Sequence, residues 1–231
     1  MLVAGFPAGA LAANCYVLAP GDGASCVVVD PGQDAAGRLN QVLAEHRLTP
    51  VAVLLTHGHL DHIASARAVC DARGIPALVH PADEYMLDDP MAALSPELRA
   101  GVGALLGPGD DLSALRPAEV QPLAAGELPL AGLPIEVLHT PGHTGGSVVY
   151  RIPGSGAGEA ARPELLLTGD TLFAGSIGRT DLPGGSSPQL LASIVAKLLT
   201  RPDDAVVLPG HGPGSTIGAE RATNPFLRSL S

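Results

Sequence analysis

The 231-residue sequence predicts a single α/β domain spanning residues 1–231. Three observations carry that expectation. Apolar runs of strand length alternate with segments of helical spacing, strand-type runs outnumber helical ones, and polar clusters repeatedly follow the ends of the apolar runs. The length lies within the roughly 50–250 residues of one domain, and no repeat of fixed period and no clear linker divides it. With polar clusters gathering at strand ends, the site is expected along one edge of the sheets.

In chain order, Asn14–Leu18 and Cys26–Asp30 read as strands. The second is almost wholly apolar, as a strand buried on both faces would be, and Asp30-Pro31-Gly32 ends it sharply. Ala36–Arg47 has helical spacing, with Leu39, Val42, Leu43 and His46 on one stripe. Val51–Leu55 is a further buried strand, closed by the polar cluster Thr56–His62. Ile63–Arg73 reads as a helix stopped by Gly74, and Ala77–His80 as a short strand. From Pro81 to Leu133 seven prolines leave room for one or two short helical pieces, so this stretch is expected to run over the surface as a rim for a substrate site. Ile135–His139, Ser147–Ile152 and Leu165–Thr168 are strands, with a Gly/Pro/Ala-rich hairpin tip at Pro153–Pro163. Pro188–Leu199 is a helix with Ser187 as candidate N-cap. Ala205–Leu208 is the last strand, and a short helix begins near Ile217.

Composition narrows the function classes. Hydrophobic residues make up 46% and charged residues 16%, which excludes intrinsic disorder. A net charge of -10 and an aromatic content of 3% without Trp argue against a nucleic-acid partner, because phosphate binding needs clustered cations and single strands need stacking platforms. Cys15, Cys26 and Cys70 form an odd set without C-x-x-C spacing, so they read as buried thiols of a reducing compartment. No basic residue precedes Arg38, and no apolar run approaches 18 residues. The expectation is a cytoplasmic protein with no membrane span.

The chemistry concentrates in Thr56-His57-Gly58-His59-Leu60-Asp61-His62. Three imidazoles and a carboxylate within six residues, just past a buried strand, suit a cation site. His57 and His59 can reach one ion from a tight turn, and Asp61 and His62 a neighbouring one. Three further ligand-type residues share the context of an apolar strand, glycine, then the side chain. These are His143 in Thr140-Pro141-Gly142-His143-Thr144, Asp170 in Thr168-Gly169-Asp170-Thr171, and His211 in Pro209-Gly210-His211-Gly212. Five His and two Asp are enough for two metals with a bridging carboxylate. His46, His80 and His139 lack such a context and read as structural, Asp30 as a residue supporting the turn or a ligand, and Arg179 with Asp181 as an ion pair bracing the Asp170 loop.

On the H-x-H-x-D-H stretch His57–His62 together with His143, Asp170 and His211, the sequence resembles the metallo-β-lactamase superfamily. That resemblance implies an αβ/βα sandwich, two mixed β-sheets face to face with helices outside. It implies that His57, His59 and His143 hold one metal, that Asp61, His62 and His211 hold a second, and that Asp170 bridges. The ions would be divalent, zinc first, with iron or manganese as alternatives. Within the superfamily, Gly169–Asp181 and Thr216–Phe226 look like the glyoxalase II-related hydrolases. Gly145 replaces the usual second proline of the T-P-G-H-T-P turn. Glyoxalase II proper also carries a C-terminal helical domain that grips glutathione, and this sequence reaches Ser231 without one.

The resemblance therefore implies a metal-dependent hydrolase that cleaves a small-molecule thioester by a metal-bridging hydroxide, with Asp61 orienting the nucleophile and Asp170 joining the ions. The acyl-thiol is expected to be held loosely by loops from Pro81–Leu133 and by the segment near Arg221 and Asn224. Two alternatives stand on the same pattern: a mononuclear-iron persulfide dioxygenase and a lactone or ester hydrolase. A true β-lactamase is disfavoured, because Asp170 stands where many of those enzymes carry cysteine.

Overall fold

The computed structural model describes residues 1–105, 115–156 and 161–228. Residues 106–114 of the expected rim and 157–160 of the expected hairpin tip lie outside the described residues.

Two six-stranded mixed sheets form the centre. The first runs in the order β1 (Leu2–Ala8), β2 (Ala13–Ala19), β3 (Ser25–Val29), β4 (Thr49–Leu54), β5 (Ala77–Val79) and β6 (Val120–Pro122). Its β1–β2 and β2–β3 pairs are antiparallel and the rest parallel. Taken from its opposite edge, the second contains β7 (Gly126–Leu130), β8 (Leu133–His139), β9 (Val148–Ile152), β10 (Leu165–Gly169), β13 (Val206–Pro209) and β14 (Ser215–Thr216). Only its β10–β13 pair is parallel. The short hairpin of β11 (Leu172–Phe173) and β12 (Ser176–Ile177) follows β10.

The period-2 alternation of the strands sorts their side chains into layers. Tyr16, Leu18, Val27, Val29 and Leu54 of the first sheet meet Val137, Val148, Tyr150, Leu165 and Leu167 of the second in the central core. The alternate residues Cys15, Val17, Val28 and Val53 face outward, onto α1 (Ala35–Glu45) and α3 (Ala66–Asp71), through Leu39, Val42 and Val69. On the far side Leu138, Val149, Leu166 and Val207 pack under α5 (Ser187–Ser193), its continuation Ile194–Leu198, and α6 (Ile217–Thr223). The four layers are helix, sheet, sheet, helix. Because both faces of both sheets are covered, the inner strands read as continuous apolar runs.

Several boundaries differ from the sequence reading, each for a local reason. β1 is absent from it because Gly5 and Pro7 weaken a strand signal. Gly5 is needed there, since a Cβ at that position would sit 2.8 Å from the Tyr16 ring. The predicted helix Ile63–Arg73 starts earlier, as α2 (Leu60–Ile63), and is broken before α3. Ser186 rather than Ser187 caps α5, without a side-chain hydrogen bond, whereas Thr216 Oγ1 caps α6 by accepting from Ala219 N at 3.2 Å. The Pro81–Leu133 stretch contains a 3-10 turn (Glu84–Leu87), α4 (Pro96–Leu105) and the strands β6 and β7. All three cysteines are free and buried.

Candidate metal centre

Four loops at the C-terminal ends of strands from both sheets converge. β4 leads into His57 and His59 and then α2, which carries Asp61 and His62. β8 leads to the turn holding His143, β10 to Asp170, and β13 to His211. All seven candidate ligands come together. The nitrogens of His57, His59 and His143 lie within 4.8 Å of one another, as do the ligand atoms of His57, His62 and Asp170, and those of Asp61, His62 and His211. Asp170 stands between the outer two groups. Its Oδ1 is 3.3 Å from His62 Nε2, and its Oδ2 is 3.7 Å from both His143 Nε2 and His211 Nε2. Asp61 Oδ2 lies 3.0 Å from His211 Nε2 and 3.6 Å from His62 Nε2.

The surrounding hydrogen bonds fix which nitrogen of each ring faces inward. His143 Nδ1–H must donate to the Arg179 carbonyl, at 2.8 Å. His62 Nδ1–H donates to Asp30 Oδ2, at 3.0 Å. Thr56 Oγ1–H is committed to Asp30 Oδ2 at 2.6 Å, so Thr56 Oγ1 in turn accepts from His57 Nδ1–H at 3.1 Å. Asp30 is buried and adopts a left-handed backbone (φ 49°), which Asp tolerates better than most residues. It thus orients His62 directly and His57 through Thr56, the supporting role expected of it. The Nε2 atoms of His57, His62 and His143 are left aimed into one space.

That arrangement fits a cation better than it fits protein alone. His57 Nε2 and His143 Nε2 face each other at 3.2 Å. His59 Nε2 is buried without a hydrogen bond, a costly state unless something else satisfies it, and His62 Nε2 and Asp170 Oδ1 have only each other, at 3.3 Å and only while His62 carries a proton. Burial and the neighbouring imidazoles hold His57 well below the usual histidine range, and burial with His143 brings His59 down to about 3. Both are therefore neutral and able to ligate. In the second group burial opposes charge, but the Asp61 and Asp170 carboxylates outweigh it and raise His62, while hydrogen bonding to Asp61 and the charge of Asp170 raise His211. Burial likewise pushes Asp61 and Asp170 up, and His62 overrides it to keep both ionised. Both rings therefore hold a proton more firmly than an ordinary histidine, which balances the two carboxylates where a second cation would sit. Gly210 is obligatory here: a Cβ would collide with Asp170 Oδ1 and come within 2.8 Å of His62 Cε1.

Arg179 and Asp181 form the expected ion pair, with two contacts of 2.8 Å, and the carbonyl of Arg179 fixes His143. His80 and His139 stack at 4.2 Å outside the centre, and His46 pairs with Asp22 at 3.1 Å. Arg221 and Asn224 do not form part of the rim. Arg221 is engaged by Asp203 and the Leu199 and Arg201 carbonyls, while buried Asn224 donates to Ser176 O and Glu220 Oε2.

One residue of the centre escaped the sequence reading. Asp83 is fully buried and ties two ligand loops together. Its Oδ2 accepts from Gly58 N at 3.1 Å, between His57 and His59, and from Thr144 Oγ1 at 2.6 Å, next to His143. Its Oδ1 accepts from Gly146 N at 2.7 Å. The signal was present, since Asp83 follows the apolar strand β5 as the ligands follow theirs. Asp83→Ala is expected to weaken metal binding at the His57/His59/His143 group by about 10–100-fold, the usual cost of losing an outer partner. Asp83→Asn, which keeps its size but turns one acceptor into a donor, should lose less. Chelator-competition titrations check this, and unchanged affinity in both variants would refute it.

Two mixed sheets between helices, with a His/Asp cluster at their shared edge, define a metallo-hydrolase architecture. The chain belongs to the metallo-beta-lactamase superfamily, whose family model matches residues 8–211. It is 39% identical to a probable metallo-hydrolase, YqgX, of Bacillus subtilis and 35% identical to hydroxyacylglutathione hydrolase GloC of Haemophilus influenzae. Each match covers 97% of both chains. Among solved structures, the BLEG-1 B3 metallo-beta-lactamase is 40% identical with a TM-score of 0.80, covering 98% of this chain and 99% of that one. TTHA1623 in a di-iron-bound form is 36% identical with a TM-score of 0.77, covering 97% of this chain and all of the other. Family and His/Asp cluster together imply divalent metals.

Proposed function

We propose that the protein hydrolyses a small-molecule thioester, with His57, His59 and His143 holding one divalent ion, Asp61, His62 and His211 a second, and Asp170 between them. The convergence of seven candidate ligand side chains, with His59 Nε2 buried and unpaired among them, carries the metal-dependent part of this reading. Similarity to a hydroxyacylglutathione hydrolase supports the thioester part. When bound, the ions supply a Lewis acid for the acyl carbonyl and lower the pKa of water from 15.7 to about 7.

The chain itself contributes position and exclusion. His57, His59, His62 and His143 are buried, whereas Asp61, Asp170 and His211 are partly exposed, so among the described residues the centre opens to solvent on the side of these three. Asp61 lines the opening and offers a carboxylate that would orient an attacking water. A cysteine nucleophile is disfavoured, because burial pushes Cys26 up to about 11 and Cys70 to about 12, and neither lines the opening. Iron is as reasonable a resident metal as zinc, given the di-iron relative.

The resemblance of BLEG-1 at 40% identity gives β-lactam hydrolysis a place beside the thioester reading, although Asp170 stands at the bridging position. The test is one metal-loaded preparation assayed in parallel for thiol release from thioesters, oxygen uptake with a thiol persulfide, and ring opening of a lactone and a β-lactam. Thiol release with a kcat/KM of at least about 10⁴ M⁻¹s⁻¹, the lower end of ordinary enzymes, is the expected result. Oxygen uptake or ring opening without thiol release would overturn the proposal.

A further inference from the structure

The opening over the metal centre is a cavity of about 240 Å3 whose floor is His59, Asp61, His143, Asp170 and His211. Its walls have a different character. Leu11, from the turn between β1 and β2, Leu60 of α2, Leu94, Leu98 of α4, and Leu182 surround the polar floor. Leu60, Leu94 and Leu182 are mostly covered, as core leucines would be. Leu98 is only half-buried, however, and Leu11 is 41% exposed. Apolar side chains gathered around a polar floor and left open to solvent mark a binding surface rather than a folding requirement.

Among the described residues the only arginine or lysine lining this opening is Arg179. Its guanidinium fork is taken up by Asp181 through two contacts of 2.8 Å, which leaves it poorly placed to grip a second carboxylate bidentately. The volume is below the roughly 300–1,000 Å3 of pockets that enclose a drug-sized ligand. A site this small, with leucine walls, accommodates an acyl chain and leaves the carrier outside.

We infer that Leu11, Leu60, Leu94, Leu98 and Leu182 form an acyl-chain subsite, so that the preferred substrates are thioesters of apolar, unbranched acyl groups rather than of polar hydroxyacyl groups. This rests on the thioester reading above and specifies it. Selectivity then resides in the acyl half, because the walls contact that half alone.

The test holds the carrier constant. Acetyl, butanoyl and hexanoyl thioesters of N-acetylcysteamine, an uncharged thiol, are hydrolysed by the metal-loaded protein. In parallel, the matching non-hydrolysable S-alkyl thioethers are titrated into it by calorimetry. Complete burial of a methylene is worth about fourfold in affinity, so half-burial should raise kcat/KM and thioether affinity about twofold per methylene. From acetyl to hexanoyl the rise is then on the order of tenfold. Leu11→Ser, in an exposed turn, and Leu98→Ser should each flatten both series. A kcat/KM series that is flat or falls with chain length, with thiol still released, would overturn the acyl subsite and leave the thioester reading intact. Absence of thiol release from every member would remove the thioester reading. The calorimetric series then decides the subsite alone: affinity rising with chain length supports it, and a flat series overturns it.

Discussion

Asp170→Ala is expected to cut turnover by more than about 100-fold, beyond the cost of losing an outer partner, and to lower metal occupancy in both ligand groups at once. The reason is positional. Asp170 alone faces His62 with one carboxylate oxygen and both His143 and His211 with the other, at 3.3 and 3.7 Å. Removing it takes a negative charge from between two cations and leaves His62, raised by that charge, without its second carboxylate. Elemental analysis of Asp170→Ala beside the parent protein measures the effect. A variant that keeps both ions and its rate would sink the bridging role. Asp181→Ala offers the contrast. Its carboxylate is exposed and pairs with the Arg179 guanidinium, while His143 is held by the Arg179 backbone carbonyl, so its loss should cost far less.

The candidate ligands were legible in the sequence because each obeys one local rule: an apolar strand ends, a small residue or tight turn follows, and a polar side chain comes next. The rule works because the C-terminal ends of β4, β8, β10 and β13 meet at one edge, so residues up to 154 positions apart in sequence (His57 to His211) become neighbours without further sequence signal. The inner strands were readable for the same physical reason, since burial on both faces leaves them apolar throughout. What failed was structure that depends on distant partners. β1 looks like a loop because Gly5 serves the Tyr16 ring rather than its own strand, and β7 exists only by pairing with β8 from Gly126 to Leu130. Asp83 was hidden in a proline-rich stretch whose role is set by loops 25 and about 60 residues away. The rim was misassigned at its C-terminal end. Arg221 and Asn224 look like free recognition groups in the sequence, but Asn224 and Glu220 instead pin the β11–β12 hairpin through Ser176 O and Gly175 N.

Stripping the metals is expected to lower Tm by about 10 °C, from a loaded state containing about two ions per chain. Ions that bind the folded chain and not the unfolded one stabilise it by about 4.1 kcal/mol at a thousand times Kd, and for a domain of this size each kcal/mol moves Tm by about 2–4 °C. The structure supplies the reason for so large a dependence. Without cations, the Nε2 lone pairs of His57 and His143 face each other at 3.2 Å, and His59 Nε2 is buried with no partner. The second group can compensate by holding protons on His62 and His211, which the two carboxylates raise above the usual histidine range. Those protons must leave when metal enters, so binding releases acid, and the thermal shift should shrink as pH falls and grow as pH rises. Calorimetric scans of loaded and chelated protein at several pH values, with elemental analysis of each, give the answer. A Tm indifferent to chelation, or a single ion per chain with no second taken up on adding zinc or iron, would contradict a centre built from two ions and a shared carboxylate. Stabilisation that stayed constant across pH would keep the ions but remove the protons from His62 and His211.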